Sequence, residues 1–303
     1  MKTKIAFFGT YEFAAVILKA LITSGLFDIE SVITQPDKPV GRHQEIKKSP
    51  VKILAEDNNL TILQPESLKN FEYTVETNLN IVVEYGLLIP EEIISKPKYG
   101  TINIHPSLLP KYRGPSPIQS ALLNGERETG ISIMLIDDKM DHGPILAQEK
   151  VNIEPNETFA ELRDRLAPLS AELLLKTLPK YLSDNIKPSP QNENEATFCK
   201  ILTRDDGKIY FNKTADEIYN QYRGLTPWPG IFTVWNSKRL KIIKIKKAEK
   251  NIPAGQVKIE NNKMLVGCSK DAIEILEIQL EGKKAMPASA FVNGNAKLDN
   301  SKF

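Results

Sequence analysis

Cysteine is nearly missing from this chain. Two occur in 303 residues, Cys199 and Cys268, far apart and without metal-ligand spacing. That argues against a disulfide framework or a zinc module and fits free thiols in a reducing compartment. Histidine is almost as scarce: His43, His105 and His142 are the whole set. No apolar run approaches the roughly 20 residues that a bilayer-spanning helix needs. The opening residues enter a strand pattern directly, without a signal or transit segment, so a cytoplasmic location is expected. The first apolar run closes on Gly9-Thr10 rather than on GxGxxG, which gives no support to a bound dinucleotide. No internal repeat is present.

Net charge is also small, +2, but it is unevenly distributed. From Gly207 onward there are 17 Lys and Arg against 9 Asp and Glu, an excess of +8, which leaves −6 on the rest. A solvated lysine-rich face would account for a single basic patch. An asymmetry over a whole module favours a polyanionic partner.

The first part alternates strand and helix patterns. Strands are expected at 4–8, 31–34, 60–63, 80–83 and 101–104, and helices at 13–22 and 51–56. This order predicts an α/β, Rossmann-like, mostly parallel sheet, with ligands at the carboxyl ends of its strands. Two more strands are expected at 131–136 and 144–151, then a long amphipathic helix over Phe159–Leu182. The stretch 184–195 is polar, contains proline and lacks periodicity, so it reads as a linker. Short strand patterns then recur at 208–210, 231–234, 240–247, 255–259, 264–267 and 273–279, interrupted by one helix at 215–222. They suggest an OB-like β-barrel. The expected domains are 1–183 and 207–303, joined by 184–206. Trp228, between two prolines, is expected to serve core or domain packing rather than to stack on a base.

Chemistry concentrates in Asn103-Ile104-His105-Pro106-Ser107-Leu108-Leu109-Pro110 and in Asp141, which follows in a turn between strands. Residues i and i+2 of a strand share a face, so Asn103 and His105 project together where the strand meets a proline-stiffened loop. A carboxamide can donate to a developing oxyanion, and an imidazole can move a proton near neutral pH. The pair suits acyl transfer. The polar segment 35–49 carries Lys38, Arg42, Lys47 and Lys48 at the ligand edge of the sheet. It is either a solvated loop or an anion clamp.

Asn103-x-His105-Pro-Ser-Leu-Leu-Pro-x-x-Arg113-Gly114 with Asp141 resembles the signature of folate-dependent formyltransferases. The similarity runs over nearly the whole chain. The segments 34–42, 49–52, 85–90, 196–197, 206–209, 227–233 and 282–284 narrow it to the members that act on methionyl-tRNA. The resemblance implies formyl transfer from 10-formyltetrahydrofolate to the α-amine of initiator methionyl-tRNA, by a monomer, without a metal or a membrane. It implies catalytic roles for Asn103, His105 and Asp141. Asn103 would hold the oxyanion, His105 would supply positive charge and a proton, and Asp141 would steady the protonated imidazole or order a proton-shuttling water. Folate would lie against Tyr85, Gly86 and Leu87 and against Ser107, Leu108, Leu109 and Pro110. Lys38, Arg42, Lys47 and Lys48 would contact tRNA. His142 has no role in that pattern. Glu84, Pro115 and Ser116 depart from it, and so do His43 and Glu45. Three rival readings are a nucleotide-sugar amine formyltransferase, a catalytically inactive nucleic-acid-binding relative and a glycinamide ribonucleotide formyltransferase. The basic module counts against the first, and the intact Asn, His and Asp count against the second.

Overall fold

The computed structural model describes residues 2–40 and 44–303. Arg42 and His43 lie outside the described residues. The chain divides into two compact units. One comprises Met1–Pro117, Glu128–Asn152 and Arg163–Cys199, and the other Ile118–Arg127, Ile153–Leu162 and Lys200–Phe303. No helix among the described residues is long and apolar enough to cross a membrane.

In chain order the elements of the first part are β1 (Thr3–Gly9), α1 (Glu12–Ser24), β2 (Phe27–Ile33), β3 (Lys38–Val40), β4 (Glu45–Lys47), α2 (Pro50–Asp57), β5 (Ile62–Leu63), β6 (Leu79–Val83), α3 (Glu91–Ile94), β7 (Thr101–His105), α4 (Pro117–Leu123), β8 (Glu128–Leu135), β9 (Ile145–Asn152) and α5 (Phe159–Leu182). Seven strands form one sheet in the order β5-β2-β1-β6-β7-β8-β9. The pairs from β5 to β7 are parallel, and β7–β8 and β8–β9 are antiparallel. The buried run Ile5–Phe8 and the fully buried β6 are continuous apolar segments, as strands covered on both faces must be. Each large side chain there contributes about 1.5–3 kcal/mol. Helix α1 buries Phe13, Ala14, Ile17, Leu18 and Leu21, one face at helical spacing, and ends on Gly25 at φ 60°. Helix α2 starts where Ser49 caps the Lys52 amide at 3.0 Å and Pro50 follows.

From β1 the chain winds to β2 and β5 on one side, then crosses to β6 and β7 on the other. The switch point therefore lies between β1 and β6, the crevice that this class of sheet uses for ligands. Gly9 pairs with Val83, and Val82 with Asn103. Gly9, Glu84 and His105 thus follow one another along the same sheet edge.

The polar segment 35–49 contains an antiparallel ribbon in which Lys38 pairs with Lys47. The polar stretch beyond α5 also has fixed partners. Ser189 and Ile145 exchange two main-chain hydrogen bonds of 2.8 and 2.9 Å, and Cys199 donates to the Arg113 carbonyl at 2.8 Å.

The second unit holds α6 (Ala215–Leu225), β10 (Ile231–Trp235), β11 (Lys238–Ala248), β12 (Val257–Glu260), β13 (Lys263–Gly267), β14 (Ala272–Leu280), β15 (Met286–Pro287) and α7 (Ala288–Asn293). Its antiparallel sheet runs β10-β11-β14-β13-β12, with β15 on β14. Among the described residues β10 and β12 do not pair, so what is seen of the expected OB-like unit is an antiparallel sheet with two edges. Strand β11 shows how the sheet keeps lysines outside. Leu240 and Ile242 point inward, register shifts around Lys244 change the alternation, and Ile245 is again buried. Lys244, Lys246 and Lys247 are consequently exposed. Trp228, expected inside, is 52% exposed.

Candidate active site

Strand alternation delivers Asn103 and His105 to one face, and the structure adds Asp141 to them. The Asn103 amide nitrogen donates to Asp141 Oδ1 at 3.3 Å. His105 Nδ1 lies 3.7 Å from the same oxygen. The Gly114 amide donates to Asp141 Oδ2 at 2.8 Å. His105 is 4% exposed, and its Nε2 meets the Tyr112 carbonyl at 2.9 Å. A carbonyl only accepts, so Nε2 carries the hydrogen and Nδ1 is the nitrogen left to exchange a proton. Asn103 retains a second N–H, because its amide has two and Asp141 takes one.

Two glycines make this geometry reachable. Asp141 itself stands at φ 49° in the tight turn between β8 and β9. A Cβ on Gly143 would overlap the Leu135 carbonyl oxygen, so that turn closes only around glycine. Gly114, at φ 117°, also leaves no room for a Cβ, which would lie 2.5 Å from the Cys199 carbonyl oxygen, while its N–H holds the carboxylate.

The loop after β7 is fixed from within. Ser107 is fully buried, and its hydroxyl donates to the Lys111 carbonyl at 2.6 Å. Ser132 joins the Ser107 carbonyl to the Leu109 amide, at 2.7 and 3.1 Å. Gln148 donates to the Leu109 carbonyl at 2.9 Å. Leu109 is 3% exposed, whereas Leu108 and Pro110 are half-buried. In the neighbouring loop Tyr85 packs edge-on to Phe8 at 5.5 Å, and burial pushes its phenol up to about 12. Its carbonyl receives Thr10 Oγ1 at 2.9 Å and Gln35 Nε2 at 2.8 Å. Gly86 turns at φ 79°, and Leu87 is half-buried. Glu84, just before them, has its carboxyl pushed up to about 7, chiefly by burial, with the Arg163 cation opposing the rise.

The described lysines of the polar ribbon differ in their partners. Lys38 reaches Gln35 Oε1 at 2.6 Å, Lys48 pairs with Glu56 at 2.7 Å, and Lys47 is exposed. Three residues carry contacts that no sequence pattern reveals. Gln191 Nε2 donates to the carbonyls of Asp141 and Gly143, at 2.9 and 2.8 Å. Glu193 grips Arg113, whose guanidinium holds the Glu193 carboxyl below its usual range. His142 stands between Asp137, at 2.6 Å, and Glu193, at 3.4 Å. Their signals are weak because the partners are remote in sequence or are main-chain atoms.

Residues 3–178 match the family model described as formyl transferase, and residues 201–296 match formyl transferase, C-terminal domain. The methionyl-tRNA formyltransferase of Caldanaerobacter subterraneus subsp. tengcongensis is 42% identical over 96% of this chain and 97% of its own. The protein of that name from Koribacter versatilis is 43% identical over 96% and 95%. Among solved structures, WlaRD, a sugar 3N-formyl transferase, superposes with a TM-score of 0.70 at 25% identity, covering 94% of this chain and all of the other. An N-formyltransferase from Helicobacter canadensis, in complex with folinic acid and dTDP-3-aminofucose, gives 0.68 at 22% identity over 91% and 99%, a likeness of fold.

Proposed function

The chain belongs to the formyl transferase family, and we propose that it moves a formyl group from 10-formyltetrahydrofolate to the α-amine of initiator methionyl-tRNA. The product would be the formylated aminoacyl-tRNA that begins translation. The observation that carries the reading is the cluster of Asn103, His105 and Asp141 at one sheet edge, in a chain over 40% identical to methionyl-tRNA formyltransferases along almost its entire length.

The residues present fit a formyl-folate donor. A carboxamide and an imidazole stand together, and half-buried Leu87 and Leu108 offer apolar edges in the two flanking loops. Tyr85, Gly86, Leu87 and the run Ser107–Pro110 would hold the donor, mostly through main chain, since the Tyr85, Ser107 and Leu109 side chains are buried. The donor supplies an activated formyl carbonyl. An α-amine has a pKa of about 8, so a useful fraction attacks as free base at neutral pH. Asn103 uses its second N–H to hold the formyl oxygen as charge develops there, a contribution of roughly 3 kcal/mol. His105 takes up the amine proton at Nδ1 while the Tyr112 carbonyl keeps Nε2 as donor. Asp141 stabilises the imidazolium, which returns the proton to the departing folate nitrogen.

For tRNA we assign Lys38, Arg42, Lys47 and Lys48 to the acceptor end and the basic second unit, an OB-like curl of its antiparallel sheet, to the backbone. The protein acts as a monomer in the cytoplasm. Formylation of methionine-charged initiator tRNA, run beside an amino-sugar nucleotide, tests the reading. Transfer to the sugar alone would overturn it.

A smaller effect checks the basic unit. Replacing Lys241 and Lys244 with Gln is expected to weaken tRNA binding and to flatten its salt dependence, by about one unit of slope for each phosphate no longer neutralised. The formyl-transfer kcat at saturating tRNA should be unchanged. Binding titrations at several salt concentrations decide it, and an unaltered slope removes β11 from the interface.

A further inference from the structure

The polar stretch after α5 has linker composition, yet it supplies the firmest support of the site. Gln191 uses every hydrogen-bonding position of its carboxamide. Its Nε2 donates to the carbonyls of Asp141, at 2.9 Å, and Gly143, at 2.8 Å. Its Oε1 accepts from Arg113 Nε, at 3.1 Å, and Nη2, at 2.8 Å. Arg113 is 2% exposed and is held on its other side by Glu193, at 2.6 and 3.0 Å. The guanidinium is planar and forked, so two partners at these distances leave it little freedom. Gln191 is therefore a joint between a buried fixed cation and the turn that carries the carboxylate.

That turn needs such a joint. Asp141 occupies left-handed backbone, which persists where surrounding contacts over-determine it. The same stretch also acts on the imidazole. Thr197 Oγ1 accepts from the Tyr112 amide at 2.9 Å, and the Thr197 carbonyl accepts from the Arg113 amide at 2.9 Å. Tyr112 is itself at φ 61°, and its carbonyl fixes His105 Nε2.

We propose that Gln191 is a positioning residue for the transfer step, holding the Asp141 carboxylate where it meets Asn103, His105 and the Gly114 amide. The proposal rests on the reading of Asp141 and His105 as the reacting-site pair. Gln191 has no path to the formyl donor in it and acts wholly through Asp141.

Gln191→Glu is the informative variant. It keeps the size and the acceptor for Arg113 but turns a carboxylate oxygen toward two carbonyls. Gln191→Ala removes both links. For either, kcat for formyl transfer should fall by roughly 10–100-fold, the scale set by a misplacement of about 1 Å. KM for tRNA and for the formyl donor should barely move. Combining Gln191→Glu with Asp141→Asn should cost little beyond Asp141→Asn alone, because both changes remove one interaction. A crystal structure of Gln191→Glu should show the Asp141 carboxylate drawn away from the Gly114 amide. Wild-type kcat in a folded variant, losses that multiply in the double variant, or an Asp141 that stays in place would each overturn the proposal. If Gln191→Ala fails to fold, the volume-preserving Gln191→Glu carries the same three readouts. A wild-type protein inactive in formyl transfer would instead sink the functional reading, and the Gln191→Glu structure would still decide whether Gln191 sets Asp141.

Discussion

His105→Ala is expected to lower the kcat of formyl transfer by roughly 10²–10⁴, the range for losing a positioned proton-transfer group. Affinity for tRNA should be nearly unchanged. The ring is almost fully enclosed, with Nε2 committed to the Tyr112 carbonyl and Nδ1 turned to Asp141. Its removal leaves Asp141 without the imidazole beside it and the carbonyl without a donor. The second loss has a stability cost of about 1–3 kcal/mol, so denaturation must accompany the kinetics and rates must be taken where the variant is folded. Asn103→Ala should cost about 10²–10³ by loss of the oxyanion donor. The two losses should not multiply, because Asn103 and His105 share Asp141 Oδ1 and act as a unit. Near-wild-type turnover in folded His105→Ala would remove the imidazole from the mechanism.

The pairing of Asn103 with His105 was legible because strand alternation is a strict two-residue period, and apolar neighbours made the strand itself evident. The parallel order was legible for the same reason: continuous apolar runs such as Ile5–Phe8 and β6 leave few alternatives. The position of Asp141 was not contained in any local pattern. It follows from a turn closed by Gly143 against the Leu135 carbonyl and from a hydrogen bond to a residue 50 positions later. The stretch 184–195 reads as a linker because its order owes nothing to apolar periodicity. It comes from main-chain exchanges with Ile145 and from polar side chains meeting polar partners such as Arg113. Composition reports poorly on such segments, since Gln191 and Glu193 would look identical in a disordered tail. The ribbon of Lys38–Val40 and Glu45–Lys47 was hidden likewise, as its two strands are only three residues each. The strand spacing suggested an OB-like barrel, of which the structure shows the antiparallel sheet. Strand spacing predicts neighbours along the chain, but closure depends on β10 meeting β12, which no spacing encodes. Trp228 misled because flanking prolines suggest a rigid packed turn, whereas the turn carries the ring outward.

Glu84→Gln is expected to raise stability at pH 8 while leaving it nearly unchanged at pH 4 to 5. The Glu84 carboxyl is pushed from the ordinary 4.5 to about 7, first by burial, with Glu12 adding to the rise and Arg163 opposing it. Between those two pH values the folded protein keeps a proton that the unfolded chain has released. Stability therefore falls as pH rises across that window. The contribution is fully present below about 4.5 and lost by the time pH has passed through about 7. A shift of this size corresponds to at most about 3 kcal/mol. Gln has the same shape and no charge to desolvate, so it escapes the penalty. The left-handed backbone at residue 84, φ 44°, is common to both proteins and cancels in the comparison. The position also matters for function, because Glu84 closely follows Val82, the strand residue that neighbours Asn103, at the edge where the formyl donor would enter. A carboxyl that ionises near neutral pH would place a negative charge there only on the alkaline side. Chemical denaturation of both proteins at pH 5 and pH 8 reads the effect. Stability curves that stay parallel across that range would mean that Glu84 is ionised and solvated throughout, and that its burial costs nothing.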